Sequence, residues 1–204
     1  MQIAQTIDTL DALRERYGDA IQGALDKVQD QLTPCYRAWL ETSRFCILST
    51  VGPEGTDASP RGDIEPVVRI ADARTLLLPD WRGNNRVDSL SNIVRDGRVS
   101  LLFMVNGSNN VVRVNGTAKL AVDEALLARF ERRGKTPRSV IVVSIGEVYY
   151  QCAKALMRSA LWAEDPALET LPTAGAFNRE FMEGDFDADA YDRGYAEYAA
   201  PRLW

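Results

Sequence analysis

The chain has 204 residues, 46% of them hydrophobic, which suffices for one buried core, so a single domain with appended helices is expected. Its 24 basic and 29 acidic residues leave a net charge of -5, which gives no general attraction to nucleic acid or anionic membranes; any anionic ligand must be held locally. With zero histidines, Ser/His/Asp hydrolysis, Cys/His proteolysis and HExxH zinc chemistry are excluded, leaving a cofactor or carboxylate, Lys, Arg and Tyr side chains to do any chemistry.

No apolar run approaches the roughly 20 residues that cross a bilayer, and residues 1–10 lack a basic start followed by an apolar block, so a cytoplasmic protein without membrane contact is expected. Cys35, Cys46 and Cys152 are odd in number and scattered. They match neither a disulfide framework nor a CxxC metal pattern and read as buried thiols.

Residues 3–32 place Ile7, Leu10, Leu13, Tyr17, Ile21 and Leu25 three to four apart, the spacing of an amphipathic covering helix. Thr33-Pro34 then supplies an N-cap and a first-turn proline for a short helix to about residue 42 that carries Tyr36, Trp39 and Leu40. Residues 45–51 are β-prone, Gly52-Pro53-Glu54-Gly55 is a turn signal, and 56–63 continue as the second arm of a hairpin. Further β-like runs cover 67–70, 75–78, 99–105, 111–122 and 139–150, with a turn at 106–110 and a helix at 123–133. About six mostly antiparallel strands in so short a stretch point to a barrel. Residues 151–162 have helical spacing, with Lys154 and Arg158 four apart on one face. The acidic, aromatic stretch that follows is expected to end in a docked helix.

The richest stretch is 76–93, Leu-Leu-Leu-Pro-Asp-Trp-Arg-Gly-Asn-Asn-Arg-Val-Asp-Ser-Leu-Ser-Asn-Ile, where a strand ends, a polar loop intervenes and a helix begins. A helix N-terminus presents unpaired N–H groups and a positive dipole end, so a loop carrying Arg82, Asn84, Asn85 and Arg86 just before one suits a phosphate dianion. Arg86 can add a bidentate charge-assisted pair. The competing reading is structural: Asn84 or Asn85 caps the helix and the arginines are solvated.

Three segments, Ser-Pro-Arg-Gly-Asp at 59–63, the stretch from 76 to 103 continued by Val-Arg-Val-Asn-Gly-Thr-Ala-Lys-Leu at 112–120, and 149–162, resemble the pyridoxamine 5′-phosphate oxidase-like, FMN-binding family over roughly 45–162. The resemblance implies a mainly β fold with flanking helices, a six-stranded antiparallel split β-barrel completed as a homodimer. It divides the chain into N-terminal helices (1–43), barrel (44–150) and a C-terminal helical segment (151–204). By motif, Arg61 and Arg86 become phosphate and ribityl ligands, with Asn85 and Ser89 as neutral donors; Ser59, Pro79, Asp80 and Asn84 belong to the same segments. Asp63 is placed to accept from the pyrimidine edge of the flavin, or else is a surface turn aspartate. Trp81 covers a ring or fills a gap beside the barrel. Lys154 and Arg158 are expected to reach the cofactor held by the other subunit. Where the better-known oxidases start this helix with Ser or Thr and then Arg-Lys, this chain has Val87-Asp88-Ser89, so the cationic role moves to Arg86.

The resemblance implies FMN as cofactor and an FMN-dependent oxidoreductase acting on an unidentified small molecule. A non-enzymatic flavin-binding or storage protein, a deazaflavin-binding reductase on the same barrel and a ligand-free dimerisation module stay open beside it. Haem would lack a histidine ligand, leaving only Cys or Tyr to hold the iron.

Overall fold

The computed structural model describes residues 3, 5–182 and 184–204; residues 1, 2 and 4 of the opening stretch, and 183, lie outside the described residues. The N-terminal stretch forms two short helices, α1 (Leu10–Tyr17) and α2 (Gln22–Asp26), rather than one. Gly18 ends the first by turning left-handed at φ 70, its N–H donating to Arg14 O at 2.8 Å. Helical spacing defines an apolar face but not what it packs on, and Leu10, Tyr17, Ile21 and Leu25 are exposed. The chain joins the core from Lys27 onward: Lys27 O accepts from the Tyr36 hydroxyl at 2.6 Å, Gln29 exchanges backbone hydrogen bonds with Val148, and Leu32 is buried. Helix α3 (Pro34–Leu40) follows the expected chemistry: Thr33 Oγ1 accepts from Tyr36 N, Pro34 opens the first turn, and Tyr36 and Leu40 face inward.

Seven strands form one antiparallel sheet: β1 (Phe45–Gly52), β2 (Gly55–Gly62), β3 (Arg69–Asp72), β4 (Thr75–Asp80), β5 (Arg98–Met104), β6 (Val111–Ala121) and β7 (Ser139–Gln151), in the order β2-β1-β5-β6-β7-β4-β3. The mainly β, antiparallel architecture with flanking helices is as expected, but in place of the expected six-stranded split β-barrel the sheet has seven strands and is not closed. The extra strand is β3, a four-residue edge partner of β4, and β2 and β3 at the two ends of the order do not pair. Alternation sets the buried face: Cys46, Leu48 and Thr50 of β1 point inward with Leu101 and Phe103 of β5, Val112 and Val114 of β6, and Leu76 and Leu78 of β4. Alanine at fully buried Leu101 or Phe103 would cost about 3–5 kcal/mol. A second, smaller apolar cluster of Leu77, Phe130 and Val140 lies on the other face of β4 and β7.

Between Asn115 and Gly116 the β6–β7 register slips: Asn115 pairs with Glu147 and Gly116 with Ile145, so Gly146 is the extra residue of a β-bulge. A Cβ on Gly116 would overlap the Ser144 carbonyl, which makes glycine obligatory there.

The remaining helices are shorter than their patterns. Helix α4 (Asp88–Arg95) precedes Gly97 at φ 81. Helix α5 (Glu124–Ala128) is capped by Asp123 and gives way to a tight turn at Arg132–Lys135. Gln151 still belongs to β7, so α6 is only Lys154–Ser159 and stops where Ala160 turns left-handed at φ 48. The expected C-terminal helix is α8 (Ala188–Ala199), packed on α7 (Ala174–Phe181) through the Gly175 N–H, which donates to Asp192 at 2.8 Å. Of the three cysteines only Cys46 is buried; Cys35 and Cys152 are exposed, correcting the expectation that all three are core thiols. Among the described residues no helix is long and apolar enough to cross a membrane.

Candidate functional site

Where β2 and β4 approach across the gap in the sheet, a cleft of about 660 Å³ opens. Its walls are residues 57–61 of β2, the loop from Asp80 to Val87, the first turn of α4 and the start of β7. That volume lies within the ordinary range for small-molecule sites, about 300–1,000 Å³.

The loop is built around two left-handed residues, Asn85 at φ 63 and Val87 at φ 53. For a β-branched residue this conformation is a true outlier, costing about 1–3 kcal/mol, and such outliers collect at functional sites. Its effect here is local: Val87 occupies the N-cap position of α4 and offers no side-chain acceptor, so the first turn of the helix, whose residues Asp88 to Leu90 line the cleft, has no side-chain cap. Neither asparagine takes the capping role. Asn84 Oδ1 accepts from Arg86 N at 3.1 Å within the loop, and Asn85 Oδ1 accepts from Arg138 Nη1 at 2.9 Å.

Three arginines and three aspartates line the cleft. Arg61 Nη1 donates to Asp80 Oδ1 at 2.5 Å, both side chains being largely buried. Arg86 Nε donates to Asp88 Oδ2 at 2.9 Å, so the first-turn carboxylate of α4 is held by an arginine of the preceding loop. Buried Ser89 donates through Oγ to Asp57 Oδ2 at 2.5 Å. Arg138 is left without a carboxylate partner among the described residues. Of the three buried side-chain donors without an acceptor among the described residues, two, Arg61 Nε and Trp81 Nε1, belong to residues of the cleft; the third is Trp39 Nε1. A buried donor without an acceptor costs about 1–3 kcal/mol, which a ligand carrying acceptor oxygens or nitrogens would relieve. The Arg138 guanidinium, which donates to Asn85 Oδ1 and has no carboxylate partner among the described residues, and the uncapped helix end suit a phosphate or comparable anion.

The structure thus gathers Ser59, Arg61, Asp80, Trp81, Asn84, Asn85, Arg86 and Ser89 around one cleft. Trp81 also packs against the Leu77, Phe130 and Val140 cluster, so it fills space on one side and lines the cleft on the other. Pro79 and Asp63 line a smaller neighbouring chamber. Asp63 is not a surface turn residue: its carboxylate is buried against Arg132 Nη1 at 2.5 Å and also accepts from Ile64 N. Lys154 and Arg158 are exposed on α6 and do not line the cleft of their own chain. Arg138 was missed by the sequence reading. It enters the site because Asp80 pairs with Ser139 in the β4–β7 ladder and Arg138 N donates to Asp80 O at 3.1 Å. Its only sequence signal is a cation directly before a long apolar strand.

A family model described as pyridoxamine 5′-phosphate oxidase matches residues 32–152, more than half of the chain. No curated protein matches the chain significantly. Among solved structures, a histidine-to-alanine variant of HupZ from Group A Streptococcus is 18% identical with a TM-score of 0.48, covering 58% of this chain and 98% of its own. A Lactobacillus delbrueckii protein described provisionally as a pyridoxamine 5′-phosphate oxidase is 22% identical with a TM-score of 0.48, over 59% of this chain and 95% of its own. A protein from Mesorhizobium loti described as FAD-binding is 15% identical with a TM-score of 0.41, over 60% and 91% respectively. At these values none of the likenesses carries over a ligand or a reaction.

Proposed function

Because the chain belongs to the pyridoxamine 5′-phosphate oxidase family, we propose that the cleft between β2 and β4 holds FMN and that the protein is an FMN-dependent oxidoreductase acting on a small molecule. The observation that carries this reading is the Arg138–Asn85 pair at the cleft that also takes in the uncapped start of α4, a cation that has no carboxylate partner among the described residues. When bound, the flavin supplies reversible acceptance of two electrons, and the chain supplies binding, orientation and proton handling. Arg138, fixed by Asn85, and the first amides of α4 hold the phosphate. Arg61 Nε donates to an acceptor of the cofactor. With no histidine in the chain, the bonded Ser89 Oγ and Asp57 Oδ2 offer the cleft a hydroxyl–carboxylate pair able to pass a proton.

The reading includes pairing of two copies. The outward face of β1 and β5 carries Phe45, Ile47 and Met104, and with Leu161 and Trp162 just after α6 they line an apolar groove of about 750 Å³. A twofold contact over this groove would bring α6, with Lys154 and Arg158, to the partner. A cytoplasmic setting accords with three free cysteines, two of them exposed.

The test is titration of FMN into cofactor-free protein, followed by absorbance and fluorescence. Wild type is expected to bind one FMN per chain, and Arg138→Ala to bind about tenfold to a hundredfold more weakly. Binding of a deazaflavin in place of FMN, or no flavin binding, overturns the cofactor. Bound FMN that no reductant, NADH and NADPH included, can reduce leaves a storage protein instead.

A further inference from the structure

Beside the main cleft lies a chamber of about 210 Å³ that shares Pro60, Arg61, Trp81 and Gly83 with it, and Leu203 forms part of its wall. Leu203 is about 120 residues beyond the loop it faces, so its place needs an explanation, and the neighbouring contacts provide one. The segment from Ala200 leaves α8 as a single turn of 3-10 helix, and its last residue, Trp204, lies with its ring 5.3 Å from the Arg132 guanidinium and 5.1 Å from that of Arg133. Lys135 Nζ donates to the carbonyl oxygens of Pro201 and Trp204, both at 2.9 Å.

The turn that makes this grip is itself rigidly held. Arg132 and Lys135 exchange backbone hydrogen bonds at 2.8 and 3.0 Å, and Arg132 is anchored by Asp63 and by Glu65 at 2.9 Å. Asp63 lines the chamber, so the strap that carries Leu203 is fastened to the chamber's own wall.

The charged side chains that line the chamber are unequal. Arg61 is paired with Asp80 and Asp63 with Arg132, whereas Arg82, a solvent-exposed lining residue, has no carboxylate partner among the described residues. Trp81 Nε1 adds a buried donor without an acceptor. One free cation and one free donor match a single carboxylate or comparable monoanion. The volume is below the usual range for a whole ligand, so it suits one end of a molecule whose remainder lies towards the main cleft.

We propose that this chamber takes the anionic end of the small molecule that reacts at the cofactor, and that Leu203, held by the Arg132–Lys135 turn through Trp204, sets the length of ligand it accepts. Reaction at the cofactor rests on the flavin reading; binding in the chamber does not. Benzoate and biphenyl-4-carboxylate serve as probes, titrated by calorimetry into FMN-loaded and FMN-free protein. Wild type binds benzoate and rejects the longer acid by about tenfold or more. Leu203→Ala removes that discrimination while FMN affinity stays unchanged, and Lys135→Met, which releases the strap without altering the chamber wall, has the same effect. Failure of wild type to bind benzoate in either form, or unchanged discrimination in both variants, overturns the proposal. If the protein binds no FMN yet sorts the two acids in this way, the flavin reading falls and the chamber assignment stands.

Discussion

Arg61 and Asp80 are bonded across the gap in the sheet at 2.5 Å, although β2 and β4 lie near opposite ends of the strand order. The pair does in side chains what a closed barrel would do with a ladder of backbone hydrogen bonds. It therefore couples the shape of the sheet to the cleft, because both side chains also line that cleft.

Asp80→Ala is expected to lower stability by about 3 kcal/mol in urea unfolding without cofactor, since a largely buried guanidinium is left without its counter-charge. Saturating FMN should recover part of the loss by giving Arg61 a new acceptor. A variant as stable as wild type, with and without FMN, would show that the pair closes nothing.

Asn85 separates the capping and binding roles cleanly. Its φ of 63 is one that glycine adopts freely, and its side chain holds Arg138 rather than an amide of α4. Asn85→Gly should leave the melting temperature of cofactor-free protein within a degree or two while weakening FMN binding several-fold. Equal losses of stability in the absence and presence of FMN would instead return Asn85 to a structural role.

Whether Lys154 and Arg158 act across subunits can be read from mixed dimers that combine an Arg138→Ala chain with an Arg158→Ala chain. If each site draws on both chains, one site of the mixed dimer carries both lesions and the other carries none. FMN occupancy then recovers to about half although neither mutant homodimer binds well. No recovery confines the site to a single chain.

The three thiols differ in reactivity. Burial pushes the Cys46 thiol up to about 12 from an ordinary 9.0, and the neighbouring Arg61 charge offsets this only in part. Iodoacetamide at neutral pH should label Cys35 and Cys152 in the folded protein, with Cys46 reacting only after unfolding. The sign for stability follows from the raised value. The neutral thiol's contribution is whole below about 9 and is lost as pH rises from there towards about 12, where the unfolded chain ionises first. Cys46→Ala should flatten that part of the alkaline unfolding profile; an unchanged profile would mean that other groups govern it.

Strand positions were legible because alternation and turn residues are local: the Gly52-Pro53-Glu54-Gly55 signal gave the β1–β2 hairpin, and Thr33-Pro34 gave the start of α3. The order of strands was not, since pairing of β4 with β7 joins segments about sixty residues apart and leaves no mark on either. The same gap explains the site. The loop from Asp80 to Ser89 could be read as one segment, whereas Arg138 and Leu203 reach it only through tertiary contacts. Helix lengths were overestimated at residues 3–32 and 151–162 because apolar spacing continues past Gly18 and Ala160, where the backbone turns left-handed.

The bulge at Gly146 has a consequence for the whole of β7. Above it Val148 faces inward from an even position; below it Ile145, Val143 and Ile141 do so from odd ones. One residue thus shifts the phase of a thirteen-residue strand, and without it one half of that strand would turn its valines and isoleucines outward. The shift sits between the half of β7 that starts beside Arg138 in the cleft and the half that leads into α6. The relative rotation of these two parts of the molecule is therefore written in a single glycine, and a one-residue insertion or deletion anywhere between Ser139 and Gln151 must be matched at that point to keep both in place.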